Sequence, residues 1–389
     1  MPLWFFLLLF KFGAGIHYSL AAVLGAQILP LWIVGICVGT AAFIQLALDV
    51  PAGFMLERYG NRRMLRVSTV AFLLAGAVLL FGLTPATYVA SIFFSALGWL
   101  FFSPGVSAYL LTNGPVALMG RLTAVRRMCE AVGITLALIG LQYFSTLAAP
   151  FVGLLIIYPF IGALISLGIA PNNPVPTILH KDTHSRRAVA MTPFATLHNV
   201  IQQLHPVGTV LGIHTFAVSM FYSMVWFIFP LLVVNSATPM TFSFALASID
   251  FAVLIVDLPI GMIVDRFSKR PVILCGMAVM SAAALLLSQP LGILIILLTA
   301  LVSVGDEMAS IALWAWMDKR TARIHHEGII SGGIVFLEDI GWCIGPILAG
   351  TLASTAATST PLLVGGTVLL TSTILSSILL FGAKQDAHA

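Results

Sequence analysis

Asp49-Val-Pro-Ala-Gly53-Phe-Met-Leu-Glu57-Arg58-Tyr-Gly-Asn-Arg62 is followed 208 residues later by Asp257-Leu-Pro-Ile-Gly261-Met-Ile-Val-Asp265-Arg266-Phe-Ser-Lys-Arg270. The same offset carries Gly120, Glu130 and Gly133 onto Gly328, Glu338 and Gly341. A shift of one residue carries Ala108-Tyr109 onto Ala315-Trp316. Biased composition alone does not hold one offset at separate places, so the chain is an internal duplication. Each copy of the long stretch starts as an apolar run and ends in a cluster of charge, as a helix does when it leaves a lipid bilayer.

Composition says which solvent these helices meet. Of 389 residues, 60% are hydrophobic and 8% are Asp, Glu, Lys or Arg, with a mean hydropathy of +1.07. A soluble domain is about one quarter charged, so this chain cannot cover a water-facing surface. A soluble enzyme, a nucleic-acid-binding module and a disordered chain are excluded. A bilayer core of about 30 Å needs roughly 20 apolar residues per helix. Read on that basis, the chain predicts spans at 3–29, 32–56, 65–83, 87–111, 122–147, 151–170, 207–234, 240–264, 271–288, 291–317, 328–354 and 361–382. The expected fold is all-α, with twelve transmembrane helices in two six-helix repeats. Residues 1–170 form the first bundle, 171–206 a polar linker and 207–389 the second bundle.

The basic residues sort to one side. Arg58, Arg62, Arg63, Arg66, Arg121, Arg126, Arg127, Lys181, Arg186, Arg187, Arg266, Lys269, Arg270, Lys319, Arg320, Arg323 and Lys384 lie on one set of loops and span ends. The opposite loops, near 30, 85, 149, 236, 290 and 357, carry no Lys or Arg. The positive-inside rule places the basic set and both termini in the cytoplasm. The net charge of +4 is then a topology signal facing lipid headgroups, and no nucleic-acid partner is expected. Cys37, Cys129, Cys275 and Cys343 fall inside spans without metal-ligand spacing, and the linker histidines are irregular. No metal and no cofactor are expected.

The run from Gly53 to Arg62 resembles the signature between helices 2 and 3 of the major facilitator superfamily, G-x-x-x-D-R-x-G-R-[RK]. Glu57 stands for its Asp and Asn61 for its Arg; in the second copy Ser268 stands for the Gly. The resemblance implies a two-bundle secondary transporter that works by alternating access. It implies further that Asp49, Gly53, Glu57, Arg58 and Arg62, with Asp257, Gly261, Asp265, Arg266 and Arg270, form a cytoplasmic gate that latches in the outward-facing state. Gly53 and Gly261 are expected to permit close helix approach, and Pro51 and Pro259 to free backbone carbonyls near the turn.

Charges inside spans are costly and mark function by default. Lys11, Glu130, Glu338 and Asp339 lie with Asp49 and Asp257 in cytoplasmic half-spans and read as a gate network. Asp250, Asp306 and Glu307 lie near mid-span, where the sequence offers no cation except Lys11. A carboxyl tuned by burial to exchange a proton near neutral pH is what proton coupling requires. With His17 on span 1, these three are the candidates for proton coupling or solute recognition. His214 sits nearer the cytoplasm and reads as a weaker candidate. Trp99, Tyr222 and Trp226 are mid-span aromatics that could line a site. No phosphate-binding loop and no nucleophile–base or metal constellation is present, so neither ATP hydrolysis nor another enzymatic activity is expected. The Pro-Glu-Ser-Pro-Arg run of sugar porters and the helix-5 Gly-Pro motif of drug antiporters are both absent. The expected function is secondary active transport of a small solute by a monomer in the cell membrane. Proton coupling and efflux of cationic or amphipathic compounds are the preferred form. The alternatives are an uncoupled facilitator, a nutrient importer, or a non-transporting sensor or scaffold with the same fold.

Overall fold

The structure is a computed structural model that describes residues 2–113, 119–169, 206–321 and 327–382. Residues 171–205 of the expected linker 171–206, the basic residues within it and Lys384 lie outside the described residues, as do the side chains of Glu57, Arg121, Lys319, Arg320 and Arg323. The long helices are α1 (Pro2–Ala26), α2 (Leu31–Tyr59), α3 (Asn61–Leu79), α4 (Pro85–Asn113), α5 (Met119–Ile139) and α6 (Ala149–Ile169). They are matched by α7 (Val207–Asn235), α8 (Pro239–Arg266), α9 (Lys269–Leu286), α10 (Leu294–Thr321), α11 (Glu327–Thr355) and α12 (Thr360–Gly382). A single turn, Leu141–Phe144, follows α5. Ten of these helices are long and apolar enough to cross a membrane; α3 and α5 are not among the ten. Both begin on the basic loops, with Arg62, Arg63 and Arg66 in α3 and Arg126 and Arg127 in α5.

The duplication read from the sequence reappears in the packing. In the first half α1 packs on α5 and α6, α3 on α4 and α6, and α2 on α4. In the second, α7 packs on α11 and α12, α9 on α10 and α12, and α8 on α10. The correspondence extends to single atoms. A Cβ added to Gly133 would meet the Leu8 carbonyl oxygen at 2.5 Å and the Phe12 nitrogen at 3.1 Å. A Cβ on Gly341 would meet the Phe216 carbonyl oxygen and the Met220 nitrogen, each at 2.8 Å. Phe216 and Met220 are Leu8 and Phe12 moved by 208 positions. Hydrophobicity does not draw helices together in lipid, so backbone approach through small residues and dispersion must hold them.

The motif turns differ for a local reason. Gly60 joins α2 to α3 at φ 83°, a left-handed conformation that favours glycine. Ser268, its equivalent, sits at φ −64° and needs no glycine. The substitution that breaks the family pattern in the second copy is therefore structurally neutral.

The halves meet along two equivalent seams, α2 with α11 and α5 with α8, and along α1 with α7 between them. Far from the basic loops, α2 and α11 touch backbone to backbone. A Cβ on Gly35 would collide with the Pro346 carbonyl oxygen and lie 3.2 Å from the Gly350 Cα, and one on Gly39 would lie 2.5 Å from the Cys343 carbonyl oxygen. At the basic-loop end the geometry reverses. Among the described residues nothing lies within 4 Å of a Cβ on Gly53 or Gly261. The close approach expected at these two glycines is thus found at Gly35 and Gly350 in this conformation, because the halves diverge toward the basic loops.

Gly35→Leu should wedge this seam open. Overpacking costs about 1–3 kcal/mol, so the thermal unfolding temperature should fall. In a chain whose other three cysteines are alanine, Cys343 should react faster with a membrane-impermeant maleimide. Unchanged labelling would show that the seam is not closed at Gly35.

Candidate functional site

Between the halves lies a cavity of about 760 Å³. Its ionisable wall includes seven carboxyls but only two basic side chains of Lys or Arg type. Asp49, Glu130, Asp250, Asp306, Glu307, Glu338 and Asp339 supply the acids; Lys11 and Arg126 supply the cations. Lys11, the lone basic residue of span 1, is explained by its surroundings. Its Nζ lies 3.2 Å from Glu130 Oε2 and sits over the Trp99 and Phe102 rings, 4.8 and 5.1 Å from their centroids. Arg126 Nε donates to Glu130 Oε1 at 2.6 Å, and its Nη1 donates to Ser107 Oγ at 2.8 Å. Both cations therefore converge on one carboxylate, on the first half's side of the cavity.

The other acids are held differently. Asp306, on α10, accepts from Ser310 Oγ at 3.0 Å, His214 Nε2 lies 3.2 Å from its Oδ1, and Tyr222 faces it. The sequence reading leaves Asp306 without a basic partner; His214, buried on α7, is that partner. Glu338 faces the Trp342 indole. Asp250 carries a buried Oδ2 with no hydrogen-bond partner. Glu307 faces the cavity and makes no hydrogen bond or ion pair among the described residues. Asp306 and Glu307, about 100° apart around α10, thus divide into a tied acid and an untied one.

Two repeat-equivalent acids mark the seams. Asp257 Oδ2 lies 3.7 Å from Arg127 Nη1 across α8 and α5. Asp49 and Asp339 face each other across α2 and α11. One seam carries a salt bridge and the other a facing pair of carboxyls.

His17 lines the cavity but is tied back: its Nε2 lies 3.0 Å from Ser91 Oγ, which itself donates to the Ala75 carbonyl at 2.9 Å. Arg62 donates from Nε and Nη2 to the carbonyls of Leu167 and Gly168 at 3.0 and 2.6 Å, capping the end of α6. Arg270 stacks over Trp316, and Arg58 over Tyr59. Asp265 and Arg266 are exposed. These motif contacts run within each half, so the structure does not bring Arg58 and Arg266 together with acids of the opposite half among the described residues.

Sequence reading placed Trp226 among the aromatics that could line a site and missed the cluster it forms at the internal axis. Tyr18 meets Trp226 at 5.4 Å between ring centroids and Trp342 at 6.0 Å, both edge to face. All three line the cavity. A signal existed: Trp226 is Tyr18 moved by 208 positions, and equivalent residues of a two-fold repeat are the ones able to meet on its axis.

A cavity between repeat-related halves, with ten of the described helices long and apolar enough to cross a membrane, is the arrangement of a multi-pass membrane protein. Residues 211–389 match the sequence profile of the Major Facilitator Superfamily. No curated protein sequence matches the chain. Solved structures similar over its length include the nucleoside transporter NupG, with a TM-score of 0.72 and 11% identity over 97% of this chain and 98% of that one. A D-xylose-proton symporter has a TM-score of 0.72 and 15% identity over 97% of each chain. A POT family transporter in complex with 5-aminolevulinic acid has a TM-score of 0.67 and 12% identity over 98% and 96%. The second half is thus similar by sequence profile to the Major Facilitator Superfamily, and the whole chain shares the fold of these solved transporters.

Glu130→Ala leaves Lys11 and Arg126, with side chains 14% and 17% exposed, without their carboxylate. Removing one partner of such a pair typically costs about 3–5 kcal/mol. Glu338→Ala, the repeat equivalent with no cation facing it, should cost clearly less. Thermal unfolding of both variants in detergent checks this; equal losses would deny Glu130 its counter-ion role.

Proposed function

We propose that this chain exports a small cationic or amphipathic solute by proton-coupled alternating access, as a monomer in the cell membrane. The observation that carries the reading is the division of charge in the cavity. Lys11 and Arg126 both pair with Glu130, so the cavity acids on α8, α10 and α11 have no ion pair with a Lys or Arg among the described residues. An organic cation would supply it, and Tyr18, Trp226 and Trp342 offer ring faces that attract cations. Twelve crossings with basic loops in the cytoplasm would make the divergent end cytoplasmic, so that this conformation loads solute from inside. Asp250 and Glu307, the untied carboxyls, would bind the solute. Asp306, held by Ser310 and His214, would serve proton coupling.

A second reading has its own support. Of the similar structures, one is a nucleoside transporter and another a D-xylose-proton symporter. A proton-driven importer of a polar nutrient fits the same fold.

Flux in liposomes separates the two. Protein is reconstituted with an internal pH dye and given benzyltrimethylammonium, D-xylose or uridine. Proton movement is expected with benzyltrimethylammonium and lost in Asp306→Asn, while labelled-solute exchange persists. Glu307→Gln should raise the solute concentration for half-maximal exchange by roughly 10- to 100-fold, the worth of a hydrogen bond to a charged group. Proton flux with D-xylose or uridine alone would establish the second reading.

The motif loops give a separate expectation. Under the latch reading, Arg58→Ala together with Arg266→Ala should raise labelling of cysteine probes placed at the basic-loop mouth. Labelling identical to the parent would end the latch role for these arginines.

A further inference from the structure

His214 is deeply enclosed near the cavity, at 1% exposure, and it stands behind the wall rather than on it. Its Nε2 lies 3.2 Å from Asp306 Oδ1 and 3.3 Å from Ser310 Oγ, and Ser310 donates to the same carboxyl oxygen. Its Nδ1 is buried with no hydrogen-bond partner. Tyr222 faces Asp306 and, like Asp306, lines the cavity.

Proton counting limits what this arrangement can be. A neutral imidazole has one N–H. With it on Nε2, His214 donates to the ionised Asp306, and Nδ1 is a bare lone pair. Adding one proton gives either an imidazolium facing a carboxylate or a carboxylic acid donating to Nε2. In both products Nδ1 bears a hydrogen, which in this conformation has no acceptor among the described residues. A buried unpaired donor is strongly disfavoured. The arrangement therefore favours the proton-poor form, and loading a proton calls for an acceptor at Nδ1.

We propose that His214 and Asp306 form one proton-binding dyad behind the cavity wall, loaded in one conformation of the transporter and emptied in another, with Tyr222 linking it to the cavity. The proposal rests on the transporter reading above and assigns its proton to a specific pair. The surroundings agree with it. The ionisable groups facing Asp306 are Tyr222 on α7, Glu307 on α10 and Glu338 on α11. Asp250 on α8 faces Tyr222, and Asp257 on α8 and Arg127 on α5 face Glu307. α9 carries its cations, Lys269 and Arg270, in its first turn, and α12 carries no ionisable side chain between Thr360 and Gly382. α1 brings Tyr18 to α7 and directs Lys11 to Glu130. Glu307 and Glu338 are relieved of repulsion when the dyad takes up a proton. A solute cation bound at Asp250 or Glu307 would relieve the same repulsion, so proton and solute compete for one charge environment without touching.

Infrared difference spectra on a pH jump, with histidine isotope-labelled full-length protein in nanodiscs, test the dyad. The parent should show an imidazole change and a carboxyl change with a common midpoint. His214→Gln should lose both, and Asp306→Asn should lose the same imidazole signal. Superimposable spectra for parent and either folded variant would overturn the proposal. Should His214→Gln fail to fold, the near-isosteric Asp306→Asn decides the question through the imidazole band. Benzyltrimethylammonium-driven proton flux on the same preparations keeps the two ideas apart. Flux without a His214 signal sinks the dyad alone; a coupled His214–Asp306 signal without flux upholds the dyad and counts against the solute reading.

Discussion

The contact of α2 with α11 at Gly35 and Gly350 is the constraint on which the rest depends. Lipid offers no hydrophobic drive to bring two helical halves together, so they meet where their backbones can approach. Each residue there lacks a side chain that the other backbone would strike. With the halves pinned at this end, the splay at Gly53 and Gly261 follows from helix length. From Gly35 to Gly53 is 18 residues, about 27 Å at 1.5 Å per residue, enough for a modest tilt to open a cavity. The charged groups then occupy this polar volume within membrane depth.

A symmetric scaffold carries an asymmetric set of charges. The repeat maps Lys11 onto Ser219, Arg127 onto Val335, and, with the one-residue shift, Trp99 onto Asp306. Glu130 and Glu338 are both kept, yet one faces two cations and the other an indole. Asp49 and Asp257 are both kept, yet one meets an aspartate and the other an arginine. Duplication supplies two similar halves that can rock against each other. Divergence of the cavity residues supplies a field across it, with the cations on the first half and the untied acids on the second.

The architecture was legible because lipid writes it into composition. Long apolar runs, a constant offset and sorted arginines each follow from a physical rule that acts residue by residue. The helices α3 and α5 show the limit: their early arginines lower their apolar character, and periodicity alone does not make them spans. The candidate acids were legible too, since a carboxylate inside an apolar run stands out. Their partners were not. His214 lies 92 positions from Asp306, and Trp342 lies 324 from Tyr18. Only tertiary packing says that a histidine placed toward the basic end of its span reaches an aspartate set deeper in another. Gly53 fails in the opposite way. Its motif is conspicuous, yet its neighbours depend on the conformation adopted.

The two seams argue for how such a molecule would turn over. The seam between α5 and α8 carries Arg127 and Asp257 as an ion pair. The seam between α2 and α11 sets Asp49 against Asp339, two carboxyls that repel whenever both are ionised. Repeat-equivalent aspartates thus face an opposite charge at one seam and a like charge at the other. Ionisation of both carboxyls would loosen α2 from α11 while α5 and α8 stayed joined, giving a rocking motion a preferred side. Such a change at the seam and proton exchange at a buried dyad would act on different helices of the same half, α11 and α7, which pack directly on each other. That contact would give a proton's movement a mechanical route from the cavity wall to the seam.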